Sequence, residues 1–258
     1  MTKYSFVFIL FFMSTISFAN NISLSTQRIY LDQQHPNANF VIRNRDAIGQ
    51  SCNLGITYFQ FDEEGSMSAY DGTATPVNAA ENVARFSPKH FKIEPNGKQI
   101  VRFKLRRKSD TPEIEHRSYI TVKCKVAQEK DRISVSGELA TIPIRAQLQH
   151  NIPLIVRPKK LNAKLWFSDV SLTDNKLSLV LHREGTKSVY GKVTLLEKNS
   201  GNTLSQSANF AIYHETKAKS LYMTVPEGVS LEHLKIEFNE AKEEGDVSAS
   251  WQASSAGE

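Results

Sequence analysis

Short runs of alternating apolar and polar residues recur along this chain of 258 residues, and helical periodicity is hard to find in it. Val101, Phe103 and Leu105 form one such run, which follows the turn-forming residues 94–97 (EPNG). Because successive side chains of a strand point to opposite faces, these runs are typical of strands that bury one face. Many short strands separated by turn signals favour a β-sandwich. The sequence therefore predicts an all-β fold.

The alternating pattern stops at residues 157–160 (RPKK) and then begins again. Leu177, Leu179 and Leu181 form a run after the turn-forming residues 173–176 (TDNK). A proline with neighbouring lysines between two all-β segments is a plausible domain boundary. We therefore predict two β-sandwich domains, residues 20–157 and residues 158–258.

The first 19 residues are typical of a secretory signal peptide. Lys3 precedes the apolar run 6–13, and residues 17–19 (SFA) form a small-residue cleavage pattern. The apolar run is too short to span a membrane. The alternative is a buried N-terminal helix. We expect the mature protein to be exported without membrane insertion.

Cys52 and Cys124 are the two cysteines of the chain, and both lie in phase with the apolar positions of an alternating run. If the two strands are antiparallel neighbours, the start of one meets the end of the other and the sulfurs can form a disulfide. The alternative is a pair of buried free thiols. The sequence leaves both open.

Residues that carry enzymatic chemistry do not form a recognisable pattern. The seven histidines lack metal-ligand spacing, and the chain has no nucleophile elbow, P-loop or dinucleotide fingerprint. The acidic pairs 63–64 and 243–244 are interpreted as solvated carboxylates in polar turns. We predict no catalytic residue, no metal site and no cofactor.

Two further features exclude other classes of protein. The formal charge of +5 is mild, and the basic residues around Lys104 and Arg106 lack stacking aromatics, so a solvated hairpin end is favoured over a nucleic-acid contact. Trp166 and Trp251 are interpreted as core residues of strands, whereas an adhesive domain would present exposed aromatics in a groove.

The stretch 142–157 reads as one very long strand. Pro143 and Pro153 cannot donate to a ladder, which indicates an edge or bulged strand. An exposed apolar edge of this length is an aggregation hazard that proteins normally avoid. Its presence therefore indicates that the edge pairs with a strand of a partner, by β-augmentation. The alternative is that the stretch fills its own core, as we expect for Ile152, Leu154 and Val156. The residues that we expect to face a partner are Ile142, Ile144, Ala146 and Leu148.

Several stretches together resemble the periplasmic chaperones of the chaperone–usher pilus pathway, in the branch often called archaic. The resemblance covers nearly all of the chain that follows the predicted signal peptide. The stretches are LSTQRIYL (24–31), FVIRNR (40–45), FSPKHFKIEPNGKQIVRF (86–103), EHRSYITVKC (115–124), LHREGTKSVYGKV (181–193) and AIYHETKAKSLYMTVPEG (211–228).

The resemblance implies two immunoglobulin-like β-sandwich domains joined at an angle and a location in the periplasm. It implies a chaperone that binds pilus or fimbrial subunits by donor-strand complementation, without a cofactor, and delivers them to an outer-membrane usher. A pilus subunit is a sandwich that lacks its last strand, and Ile142, Ile144, Ala146 and Leu148 would be the side chains lent to it.

The resemblance also implies that Arg28 lies in the cleft between the domains and anchors the C-terminal carboxylate of the subunit. The best-known branch carries a second cleft cation, a lysine, where this chain has Pro153. Arg117 is our candidate for the missing donor, because it begins the strand expected to pair with residues 142–157.

The main alternative is a secreted structural or adhesive protein of two immunoglobulin-like domains. The sequence does not identify the subunits or the fibre that they build. It leaves open whether the free protein self-associates to cover its edge.

Overall fold

The computed structural model describes residues 21–106, 112–127 and 149–253. The predicted signal peptide, residues 1–19, lies outside the described residues. The regular secondary structure of the described part is β-strand, as predicted, apart from short 3₁₀ turns at Ala80–Asn82 and Leu231–His233. In these ranges no helix has the length and apolar character needed to cross a membrane.

Eleven of the described strands lie before residue 158. They are β1 (Ile22–Leu24), β2 (Ile29–Asp32), β3 (Asn37–Asn44), β4 (Gln50–Thr57), β5 (Phe59–Phe61), β6 (Met67–Ala69), β7 (Ala84–Ser87), β8 (His90–Ile93), β9 (Lys98–Leu105), β10 (His116–Val126) and β11 (Gln149–Arg157).

These strands form the first sandwich. One sheet has the order β1-β3-β9-β7 and the other has the order β2-β11-β10-β4-β8, while β5 and β6 form a separate hairpin. Phe40 and Phe103 meet edge to face between the sheets, with ring centroids 6.4 Å apart. Ile152, Leu154 and Val156 belong to the same core, as the sequence predicted.

The second sandwich contains the seven described strands that follow residue 160. They are β12 (Ala163–Thr173), β13 (Lys176–Gly185), β14 (Val189–Glu197), β15 (Thr203–Ile212), β16 (Ala218–Thr224), β17 (Leu234–Glu240) and β18 (Ser248–Gln252).

A three-stranded sheet, β12-β13-β16, packs against a four-stranded sheet, β15-β14-β17-β18. Leu177, Leu179 and Leu181 are buried between them, as their alternation predicts. Asp174 and Asn175, at the β12–β13 turn, both have positive φ, which a two-residue hairpin of type I′ requires. The local sequence therefore sets both the strand and its turn.

The two tryptophans differ in their surroundings. Trp251 packs against the second core, as expected. The prediction was wrong for Trp166, which is 42% exposed and stacks on His182 on the outer face of β12 and β13. Leu165 and Phe167 on either side of it point inward instead. Three consecutive apolar residues cannot all face the core of a two-faced strand.

Cys52 and Cys124 form a disulfide, which decides between the two alternatives left open by the sequence. They are direct cross-strand partners in the antiparallel pair of β4 and β10. Both sulfurs belong to the buried core of the first sandwich. The bridge therefore closes a long loop of chain around the centre of the five-stranded sheet.

Loss of this bridge is expected to lower the free energy of unfolding by about 2–4 kcal/mol, because it closes a sequence separation of 72 residues in the unfolded chain. Urea unfolding of a Cys52→Ala/Cys124→Ala variant measures this difference. A reducing agent should lower the midpoint of the wild type and leave that of the variant unchanged. Equal stability of variant and oxidised wild type would contradict the assignment.

Candidate functional site

The outer face of the five-stranded sheet carries the polar residues that contact the second sandwich. Ile29, Leu31, Leu154 and Val156 point into the core of the first sandwich. Strand alternation therefore places their neighbours, among them Tyr30, Ile155 and Arg157, on the opposite face. Two sequence-predicted residues, Arg28 and Arg117, reach side chains of the second sandwich from this sheet.

Arg28 precedes β2 and forms a two-pronged ion pair with Glu244 of the second sandwich. Nε donates to Oε1, and Nη2 donates to Oε2 at 3.1 Å. Both side chains are almost fully buried. Burial disfavours the charged guanidinium, but the charge and hydrogen bonds of Glu244 outweigh it and raise the pKa of Arg28. The predicted anchor thus already holds a carboxylate of its own chain.

Glu244 was interpreted from the sequence as a solvated carboxylate, and this interpretation was wrong. It is 7% exposed and lies in the connection between β17 and β18. The backbone N–H of Glu244 donates to Ala241 O, while Ala241 N–H donates to Tyr190 O on β14. The connection therefore folds over the domain junction and carries the Glu244 carboxylate inward.

Arg157, the last residue of β11, connects the two sandwiches. Its Nε donates to Glu115 Oε2 at 2.8 Å, and Nη2 donates to Glu244 Oε2 at 3.0 Å. Backbone carbonyls of Ser188 and Glu244 accept from the same guanidinium at 2.8 and 2.9 Å. The guanidinium also lies over the Tyr30 ring. Glu115 and Glu244 raise the pKa of Arg157 despite its burial.

Six buried charges therefore gather at the junction, and we name them the interdomain charge cluster. Lys187 adds a third cation and pairs with Glu240 at 2.7 Å. Burial would raise the pKa of the Glu115 carboxyl, but Arg157 and the Ser188 N–H hold it below its usual value. The cations of the cluster are Arg28, Arg157 and Lys187, and its anions are Glu115, Glu240 and Glu244.

Gly245 is required beside this cluster. Its φ is +153°, and a Cβ at this position would clash with the Glu240 carboxylate and approach the Lys187 ammonium to 2.6 Å. A side chain at this position would have to displace the ion pair and would also strain the backbone at this φ.

Arg117, on β10, forms a second two-pronged pair, with Glu215. Nη1 donates to Oε2 at 2.8 Å, and Nη2 donates to Oε1 at 2.5 Å. The guanidinium packs against the rings of Tyr213 and Phe61, 4.4 and 4.9 Å from their centroids. Burial would raise the pKa of Glu215, but the hydrogen bonds and charge of Arg117 hold it below its usual value.

The hairpin of β5 and β6 supports this second pair. Lys217 and Ala218 of the second sandwich donate their backbone N–H groups to Glu63 O at 2.9 and 3.1 Å. Thr216 Oγ1 donates to Asp62 O at 3.0 Å. Arg28 and Arg117 therefore pair with different glutamates of the second sandwich, and the Tyr213 ring lies against both guanidiniums.

One side of β11 lacks a neighbouring strand over part of its length. β11 pairs with β10 along Gln149–Val156, but with β2 it pairs in parallel over Leu154–Arg157 alone. Among the described residues no strand lies beside Gln149–Pro153 on the β2 side, and we name this gap the open lane. Pro153, which has no N–H to give to a ladder, is the last residue of the open lane.

Arg28 lies at the end of the open lane. Ile29 is level with Leu154 in the parallel pair of β2 and β11. The residue before Ile29 is therefore level with Pro153, where the open lane meets β2. Arg117 lies on the other side of β11, where it is level with Ile155.

The predicted partner-facing residues Ile142, Ile144, Ala146 and Leu148 lie outside the described residues. In the sequence they directly precede residues 149–157, the described part of the predicted strand. Within the described ranges, no group of three or more histidine, cysteine or acidic residues is arranged to hold a metal ion.

Comparisons with known proteins give matches in structure but not in sequence. No protein-family model matches this chain, and no curated protein sequence matches it. A chain of the CsuC–CsuE chaperone–tip adhesion subunit pre-assembly complex, from archaic chaperone–usher Csu pili of Acinetobacter baumannii, matches with a TM-score of 0.50 and 11% identity. This match covers 91% of this chain and 100% of the other.

Other solved structures include a chain of the Salmonella enterica SafA pilin in complex with the SafB chaperone. It has a TM-score of 0.46 and 14% identity over 92% of this chain and 98% of the other. The Pseudomonas aeruginosa CupB2 chaperone has a TM-score of 0.44 and 10% identity over 90% and 100%. The Csu match shows that the two chains share a two-sandwich fold. At 11% identity it shows the fold alone. The resemblance drawn from the sequence is thus confirmed at the level of the fold.

Removal of one charge from the middle of the cluster should be costly. Arg157→Met leaves Glu115 buried without its cation, and we expect a loss of about 3–5 kcal/mol in the free energy of unfolding. Lys159→Met is the matched control. Lys159 lies two residues after Arg157, and its positive charge belongs to an exposed ion pair with Glu113. This substitution should cost less than about 1 kcal/mol.

Urea unfolding of the two variants beside the wild type measures both losses. Equal losses for the two variants would contradict the structural role given to Arg157.

Proposed function

We propose that this protein is a periplasmic chaperone that binds pilus or fimbrial subunits by donor-strand complementation and delivers them to an outer-membrane usher. The observation that carries the proposal is the open lane beside Gln149–Pro153, next to an apolar alternating stretch. The shared fold with a chain of an archaic pilus chaperone–subunit complex supports it. A disulfide in the first core fits an oxidising compartment such as the periplasm.

The open lane gives a partner strand a place and a direction. A strand of the subunit beside Gln149–Pro153 would find main-chain groups of β11 that have no partner on that side among the described residues. In line with β2, it would run parallel to β11 and end where β2 begins. Its C-terminal carboxylate would then meet Arg28 at the end of the open lane. A guanidinium binds a carboxylate through two parallel hydrogen bonds.

Residues 142–148 would supply the side chains. In our proposal they continue β11 away from the linker, and Ile142, Ile144, Ala146 and Leu148 enter the groove left by the missing strand of the subunit. Burial of each of the three larger side chains contributes roughly 1.5–3 kcal/mol. Together with ladder hydrogen bonds, this is enough to hold a complex.

Arg117 remains our proposal for a second donor, at the other side of β11. Its guanidinium is held in place by two aromatic rings and by Phe59 O at 3.3 Å, so its orientation does not depend on Glu215 alone. It is therefore preorganised for another carboxylate in place of Glu215.

Leu148→Glu is expected to abolish capture of a co-expressed pilus subunit in a pull-down, since it would place a charge in the apolar groove of the partner. Gln147→Glu is the matched control, because it adds the same charge on the opposite face of the strand. The control should capture the subunit as well as the wild type does. Retained capture by Leu148→Glu would overturn the donor-strand mechanism.

One observation favours the alternative of an adhesive protein. Trp166 is exposed and stacked on His182, and Tyr222, which is 61% exposed, lies on the same outer face of the three-stranded sheet. Exposed aromatics of this kind suit a sugar ligand. Sugar binding that depends on Trp166, without capture of any subunit, would support this alternative and contradict the chaperone proposal.

A further inference from the structure

Glu244 presents to Arg28 the chemical group that a partner would bring. The carboxylate uses both oxygens to accept from Nε and Nη2 of the guanidinium. A C-terminal carboxylate that reached Arg28 from the end of the open lane would compete with Glu244 for these donors. We infer that Glu244 is an internal competitor, which occupies Arg28 in the free protein and leaves it when the C-terminal carboxylate of a bound subunit arrives. This inference rests on the proposed function.

Repulsion between two carboxylates favours the exchange. Arg28 and Glu244 are both almost fully buried. A second carboxylate at Arg28 would face the negative charge of Glu244 with little water between them, which is strongly unfavourable. The incoming carboxylate can therefore bind Arg28 well only if Glu244 gives up its place.

Arg157 offers Glu244 a second position. Its Nη2 already donates to Glu244 Oε2 at 3.0 Å, and its Nη1 donates to the backbone carbonyl of Glu244 at 2.9 Å. When Glu244 leaves Arg28, it keeps these two contacts. The contacts of Arg157 with Glu115 and Ser188 also persist, so the two sandwiches stay joined during the exchange.

Because a partner must displace Glu244 from Arg28, its affinity depends on the chemical group at its C-terminus. A partner that ends in a free carboxylate replaces the bonds that Arg28 loses, whereas a chain that continues beyond this point, or that ends in an amide, does not. Glu244 thus favours partners whose C-terminus lies at the end of the open lane.

Affinity measurements on variants of the full-length mature protein test this competition. The ligand is a pilus subunit that the wild type captures, prepared with a free C-terminal carboxylate or with a C-terminal amide. Glu244→Gln removes the competing charge, and Glu240→Gln is the control, since it removes the same charge from the same cluster without touching Arg28. Thermal unfolding and near-ultraviolet circular dichroism show whether each variant is folded.

Glu244→Gln should bind the free-carboxylate subunit about tenfold or more tightly than the wild type, as expected for an ionic hydrogen-bonded pair that no longer has to be broken. Glu240→Gln should not show this gain. The amide should bind both the wild type and Glu244→Gln more weakly than the acid does.

A second measurement serves if Glu244→Gln does not fold. In the wild type labelled with ¹⁵N-arginine, the Nε–H resonance of Arg28 should shift when the acid form of the subunit binds and less when the amide form binds. Equal affinities of wild type and folded Glu244→Gln for the acid, or equal Arg28 shifts with acid and amide, would overturn the inference and leave the chaperone proposal standing. Failure of the wild type to capture any subunit would instead overturn the proposed function.

Discussion

The buried guanidinium of Arg157 is the interaction on which the arrangement of the two sandwiches depends. It ends the last strand of the first sandwich and binds groups from both domains, Glu115 on one side and Ser188 and Glu244 on the other. Buried ion pairs contribute little net stability relative to well-packed apolar groups, but their loss is costly and their geometry is strict. Arg157 therefore acts mainly to fix where the second sandwich lies.

The position of the second sandwich determines what surrounds the open lane. β2 pairs with β11 for four residues and leaves Gln149–Pro153 without a neighbour on that side among the described residues. Arg28 lies where the two regions meet, and Glu244 reaches it across the junction. The same contact that joins the domains thus occupies the cation at the end of the open lane. In our account, binding and domain contact are linked through one carboxylate.

Much of the fold could be predicted from the sequence, because strand alternation is a local property that burial enforces. Val101, Phe103 and Leu105 point inward as their spacing indicates, and so do Leu177, Leu179 and Leu181. Trp166 was assigned to the wrong face, since an apolar run of three does not reveal which residues point inward.

The candidate site was less predictable, because its charges come from distant parts of the chain. Arg28 and Glu244 are 216 residues apart, and Arg157 and Glu115 are 42 residues apart. Nothing in a polar turn distinguishes a buried glutamate from a solvated one until its partner is known. The resemblance to pilus chaperones selected Arg28 and Arg117 from the many arginines, but it gave no indication that each is paired with a glutamate.

Hydrogen–deuterium exchange of the free protein and of its complex with a captured pilus subunit tests the central claim most directly. If a partner strand fills the open lane, the backbone amides of residues 149–152 that point to that side should exchange much more slowly in the complex, whereas the core of the second sandwich should be unchanged. Unchanged exchange of residues 149–152 in a complex that remains bound would contradict the account.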